Sequence, residues 1–99
     1  MLLIIGTVRL PPEKLAEARP VMERMILASR AEAGCLEYSY AEDVLVAGRI
    51  HVKEIWLDQA SLDAHFASDH IKVWRAAWSE FGITDRNLLV YEIGEARAT

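Results

Sequence analysis

The chain is poor in the residues that announce several large functional classes. A single cysteine, Cys35, among 99 residues excludes an internal disulfide and suits a reducing compartment. Basic residues never cluster. Eleven Lys and Arg against fifteen Asp and Glu leave a net charge of −4, with no cationic stripe to follow a phosphate backbone, so nucleic acid is not an expected partner. No apolar run approaches the roughly 20 residues that span a bilayer. The opening stretch from Met1 to Val8 lacks the charged leader and small-residue cleavage site of a secretion signal and reads as a strand. Low-complexity segments, a glycine-rich phosphate loop, a nucleophile elbow and a Cys/His zinc pattern are all missing. The expectation is a cytoplasmic protein with no membrane partner and no motif-borne cofactor.

Hydrophobic residues, by contrast, make up 53% of the sequence against 26% charged. A body of this size buries only about 60–70% of its unfolded surface, so it has more apolar side chains than one copy can hide. One domain over residues 1–99, assembled as a homodimer, is expected.

Hydrophobic spacing gives the elements. Leu2 to Leu10 predicts a strand, ended by Pro11-Pro12, with Pro12 fit for a first helical turn because its missing N–H is not needed there. Leu15, Ala18, Met22, Met25 and Ser29 share one helical face whose phase runs through Pro20, so this helix continues past the proline, and Gly34 is expected to stop it. Leu36, Tyr38 and Tyr40 alternate with polar residues, as do Ile50, Val52, Glu54 and Trp56, predicting an antiparallel pair joined by a loop from Ala41 to Gly48, with the tyrosine hydroxyls near water. Asp58 is a natural N-cap, and Leu62 and Phe66 form the apolar line of a short helix. Ile71, Trp74, Trp78 and Phe81 lie on a face rotated from that line, which predicts a break at Ser68-Asp69. Gly82 ends the second segment, and Leu88 to Ile93 forms a last strand. The order β-α-β-β-α-β predicts a ferredoxin-like α+β fold with helices on one face of an antiparallel sheet. Strand one is apolar at nearly every position, so the other face also needs cover.

Three stretches carry a family resemblance: Ser29-Arg30-Ala31-Glu32-Ala33-Gly34-Cys35-Leu36-Glu37-Tyr38, then Glu54-Ile55-Trp56, then His65 with Ser68 to His70. With the element order, the chain resembles the antibiotic biosynthesis monooxygenase (ABM) domain proteins, among them small quinol monooxygenases. The resemblance implies a dimeric α+β barrel with sheets face to face, a pocket between helices and sheet in each protomer, and oxygenation of a quinol or polyphenol by molecular oxygen without flavin or metal. Some relatives cleave heme instead. The positions that serve them fall here at Arg75, Val8 and His65, which disfavours heme chemistry.

Within that frame, His65 and His70 are the candidate catalytic bases, because an imidazole with a pKa near 6.5 can take a phenolic proton near neutrality. They stand five apart, not on the i, i+4 spacing that binds metal on one helix face, so no metal is expected. The plainer alternative for either is a helix histidine bonded to a carboxylate. Trp74, Trp56, Trp78 and Phe66 are candidate walls for a flat aromatic substrate, although such residues at core spacings commonly only pack. Arg75 could hold a substrate carbonyl. Glu54, a charge on a buried strand face, needs either a cation from across the dimer, the expected case, or a role as proton acceptor. Two other classes stay open: a dimeric binding or stress-response module that holds a small hydrophobic ligand without turnover, and an isomerase of a small polyol or sugar phosphate, for which only Lys53, Lys72 and Arg75 offer cations.

Overall fold

The computed structural model describes residues 1–99. The chain folds as β1 (Leu2–Arg9), α1 (Leu15–Arg30), β2 (Cys35–Glu42), β3 (Arg49–Trp56), α2 (Gln59–Phe66), α3 (Asp69–Phe81) and β4 (Thr84–Glu92), with a single 3-10 turn from Pro12 to Lys14 leading into α1. The strands form one antiparallel sheet in the order β2-β3-β1-β4, the ferredoxin-like α+β arrangement the sequence predicts. No helix is long and apolar enough to cross a membrane.

Pairing assigns the faces, because residues opposite each other on antiparallel strands point the same way. Leu2, Ile4 and Val8 pair with Trp56, Glu54 and Ile50, and all six are buried under the helices. Helix α1 buries Ala18, Met22, Met25 and Ser29, the face its spacing predicts. Pro20 stays inside that helix and exposed. The missing N–H therefore costs a bond on the wet side, where water can satisfy the freed carbonyl. Gly82 ends α3 at φ 69°, the left-handed cap glycine tolerates, and Asp58 caps α2 by accepting from Ser61 N at 2.8 Å.

Gly34 does something other than stop a helix. Helix α1 already ends at Arg30, with Ala31 in a right-handed conformation. A Cβ on Gly34 would lie 2.0 Å from Ser61 Oγ and 2.2 Å from Ser61 Cβ, so the glycine allows the α1–β2 turn to touch the first turn of α2. Ser61 Oγ is itself tied to Asp58 at 2.6 Å and has little room to yield. Gly34→Ala is expected to cost about 1–3 kcal/mol, the usual penalty of overpacking, with partial recovery in a Gly34→Ala/Ser61→Gly double variant, read by thermal melts.

Strand β4 begins earlier than Leu88. Asp85 takes a positive φ of 53°, and the pairing with β1 slips between Thr7 and Arg9. That irregularity hides the alternation of Thr84 to Asn87 from a sequence reading. On the face away from the helices, Leu3, Ile5, Ile55, Leu89 and Tyr91 come together through the registers Leu3↔Ile55, Leu3↔Tyr91 and Ile5↔Leu89. Ile5, Leu89 and Tyr91 are exposed, so the predicted second apolar face exists. The helix-side face is open at one edge too: Val90 pairs with the buried Ile4 yet is 55% exposed.

Candidate functional site

Four elements converge on a small polar cluster inside an aromatic shell. Helix α1 ends and the chain turns, with Glu32 N donating to Ser29 O at 3.1 Å and Cys35 N to Glu32 O at 3.0 Å. This fixes Glu32 just beyond the helix C-terminus, where the macrodipole disfavours a negative charge. Two histidines supply what it needs. His65 Nδ1 lies 2.7 Å from Glu32 Oε2, and His70 Nε2 lies 3.3 Å from the same oxygen. A carboxylate can only accept, so the 2.7 Å hydrogen bond puts a proton on His65 Nδ1. Ser68, between α2 and α3, donates its hydroxyl to the His65 carbonyl and stands 3.2 Å from His70 Nε2.

His65 is 1% exposed, which corrects the expected face of α2. Leu62 and His65 turn inward, while Phe66 is exposed, with the Arg75 guanidinium carbon 5.2 Å from its ring centre. The helix can bury an imidazole because Glu32 waits inside, and Arg75 covers the ring left outside. Behind His65 stand Trp56, ring centres 4.5 Å apart, and Tyr38 at 5.4 Å. Its second nitrogen, Nε2, faces Glu54 Oε1 at 4.0 Å. That carboxyl is buried and accepts from Trp56 Nε1 at 2.9 Å, so within the chain its partner is an indole two residues along its own strand.

Burial sets the electrostatics. It pushes the Glu54 carboxyl above its usual range, against the indole bond and the positive potential of Arg86 and Arg75. Burial also holds His65 below 6.5, while Glu32 pulls upward. Tyr38 is 2% exposed and stacks on Tyr40 with ring centres 5.8 Å apart. Both phenols are raised by burial, which corrects the expectation of hydroxyls near water for these two, whereas Tyr91 is exposed as expected.

Trp74 is buried between Tyr40 and Trp78, with ring centres 6.4 and 6.5 Å away. The indole N–H groups of Trp74 and Trp78 are buried and complete no hydrogen bond, with the Tyr40 hydroxyl beside that of Trp74, an uncommon state for a native interior. The main cavities are elsewhere. The largest, about 580 Å³, runs between α1 and β2 and is lined by Met22, Ile26, Ile50, Tyr40, Arg19 and Arg30 among others. None of the four main cavities touches His65, His70 or Trp74. The imidazole and indole thus project inward as predicted, but into packed aromatic rings rather than a hollow of that size. Glu32 is the residue a spacing argument misses: its signal is an acidic side chain at the end of a helix that favours bases there.

These features define a small α+β protein with an acid–imidazole cluster enclosed by aromatic side chains. A sequence model of the antibiotic biosynthesis monooxygenase family matches residues 1–77, and the chain belongs to that family. A candidate antibiotic biosynthesis monooxygenase of Deinococcus radiodurans is 28% identical and superposes with a TM-score of 0.91 over 100% of this chain and 98% of that one. A conserved protein of Methanosarcina mazei is 26% identical, TM-score 0.81, over 91% and 89%. An uncharacterised Synechocystis protein is 25% identical over 97% of this chain, which spans 65% of that relative's length.

Proposed function

We infer that the protein is a cofactor-independent monooxygenase that oxidises a small quinol or polyphenol with molecular oxygen, working as a homodimer. The observation that carries this reading is a buried imidazole, His65, fixed by Glu32 in the same interior as two indole N–H groups that complete no hydrogen bond. An imidazole held neutral by burial is a base ready for a phenolic proton, and unpaired N–H groups can receive the resulting anion. The electron-rich anion then passes an electron to oxygen and the radical pair combines. One oxygen atom enters the substrate and the other leaves as water, with the substrate as sole reductant. His70 and Glu32, each about one-fifth exposed, carry the proton outward. Trp74 and Trp78, which adjoin none of the four main cavities, stack and donate once the entering substrate has parted the packed rings. Trp56, its N–H held by Glu54, serves as a wall, and Arg75 and Phe66 stand at the rim. The helix-side edge along β4, where Val90 is uncovered, is the approach.

The test is oxygen uptake by purified, chelator-treated, colourless protein with a panel of quinols and polyphenols. Acceleration over the uncatalysed rate supports the reading, and none across the panel sinks it. A second reading, binding without turnover, draws support from the large α1–β2 cavity, whose volume suits a small ligand. Thermal stabilisation by a phenol without product would favour it.

The dimer rests on the apolar outer face of the sheet. Leu89, 58% exposed on that face and carried by the edge strand β4, is the position to break. Leu89→Glu puts a charge from each copy into an apolar interface with no cation to meet it, and a shift from dimer to monomer mass by light scattering is the expected result. An unchanged dimer would move the interface elsewhere.

A further inference from the structure

We propose that Glu32, His65 and His70 form a binding site for a single divalent transition-metal ion. Their facing atoms, Glu32 Oε2, His65 Nδ1 and His70 Nε2, all lie within 4.8 Å of one another. A tetrahedral ion with bonds of about 2.0–2.1 Å sets its ligands roughly 3.3 Å apart. The His70–Glu32 separation is already 3.3 Å, and His65–Glu32 is 2.7 Å. Small side-chain rotations that open one edge and close the third complete a three-ligand set with a position left for water. The spacing rule that argued against metal treats both histidines as belonging to one helix. The break at Ser68 places them on α2 and α3 instead, and the carboxylate comes from a third part of the chain.

The surroundings also suit an ion. A histidine bound through one nitrogen commonly donates the other N–H to a carboxylate, which fixes its tautomer. His65 Nε2 faces Glu54 Oε1 at 4.0 Å, and Glu54 is itself held by the Trp56 indole. When an ion displaces the proton from Nδ1, the imidazole proton moves to Nε2, toward that carboxyl. Glu32 and His70 are partly exposed and give access from solvent, whereas His65 closes the inner side. Two imidazoles and one carboxylate favour zinc, cobalt, nickel or copper over calcium or magnesium. Glu32 and Glu54 attract the cation, and Arg75 is the opposing charge on the neighbouring face.

This site is independent of turnover, because binding is measured on the resting protein. It also excludes the base role while occupied, since the ion and the relay compete for the same Glu32–His65 contact. The experiment titrates chelator-dialysed full-length chain with zinc by calorimetry and with cobalt by visible absorption. The expected result is one ion per chain at micromolar or tighter affinity, with d–d bands of a low-coordinate cobalt site. Glu32→Gln and His70→Ala should each weaken zinc at least tenfold, and Glu54→Gln about tenfold, as loss of a supporting carboxylate does. His51→Ala, which removes the surface His51–Asp43 pair, should change nothing. His70→Ala replaces a partly exposed residue, and metal-free melting curves confirm that it folds. No saturable zinc binding, or binding indifferent to both Glu32→Gln and His70→Ala, overturns the proposal. Quinol turnover without metal binding would do so while leaving the proposed activity standing.

Discussion

His65→Gln is expected to lower kcat for an accepted quinol by about 10²–10⁴-fold, the size of a lost general base, with a much smaller change in KM. Glutamine keeps an N–H donor for Glu32 in a space of similar length, so the packing against Trp56 and Tyr38 is largely preserved, but an amide cannot take a proton near neutrality. Steady-state kinetics paired with a thermal melt separate the effects: an unchanged midpoint with an unchanged kcat would remove His65 from the chemistry. The same group gives a pH signature in chelator-treated protein. Burial, the largest influence, holds the imidazole below 6.5, His70 and Arg75 act in the same direction, and Glu32 opposes them. A rate that needs neutral imidazole therefore rises with pH below 6.5 and levels above it. Glu32→Gln removes the upward pull, so the rising limb moves to lower pH while the plateau falls with the lost orientation. The unfolded chain binds this proton more readily than the folded one. The histidine's contribution to stability is thus complete above 6.5 and is lost as pH falls toward the folded value.

Much of the scaffold was readable because its signals are local. The phase of Ala18, Met22, Met25 and Ser29 outweighs Pro20, since a proline on the exposed side of a well-buried helix breaks only a wet hydrogen bond. Asp58 and Gly82 act through the backbone of their own turns, and Ile71, Trp74 and Phe81 mark a helix face without outside help. What could not be read depends on partners distant in sequence. Glu32 and His65 are 33 residues apart, and nothing near either announces the other. The same holds for Gly34, whose purpose is contact with Ser61 and not the positive φ that glycine at a helix end usually signals. Tyr38 has the alternation of a half-wet strand, yet its face lies beneath α1 and against His65, so the hydroxyl is carried inside. The two histidines stand at a spacing wrong for one helix and become neighbours only because α2 ends at Phe66 and α3 starts at Asp69.

Glu54→Gln is expected to raise stability at pH 8 by about 0.5–2 kcal/mol, the range of single stabilising changes, while lowering quinol turnover if the carboxyl takes part in proton transfer. Glutamine offers Trp56 the same kind of acceptor without a charge that burial penalises. The sign follows from the raised pKa of the buried acid. The folded wild type holds this proton more tightly than the unfolded chain, so that contribution is complete below about 4.5 and is lost as pH rises through the folded value. The variant has no such loss. Its advantage should be small at pH 5 and larger at pH 8, a comparison that urea midpoints at the two values can make. Should the variant prove weaker at pH 8, the carboxylate is ionised and satisfied there, and the positive potential of Arg86 and Arg75 outweighs its burial. A more stable variant with unchanged turnover would reduce Glu54 to an acceptor for Trp56. A more stable variant with impaired turnover would mean that the fold carries an unfavourable buried acid because the chemistry beside His65 requires it.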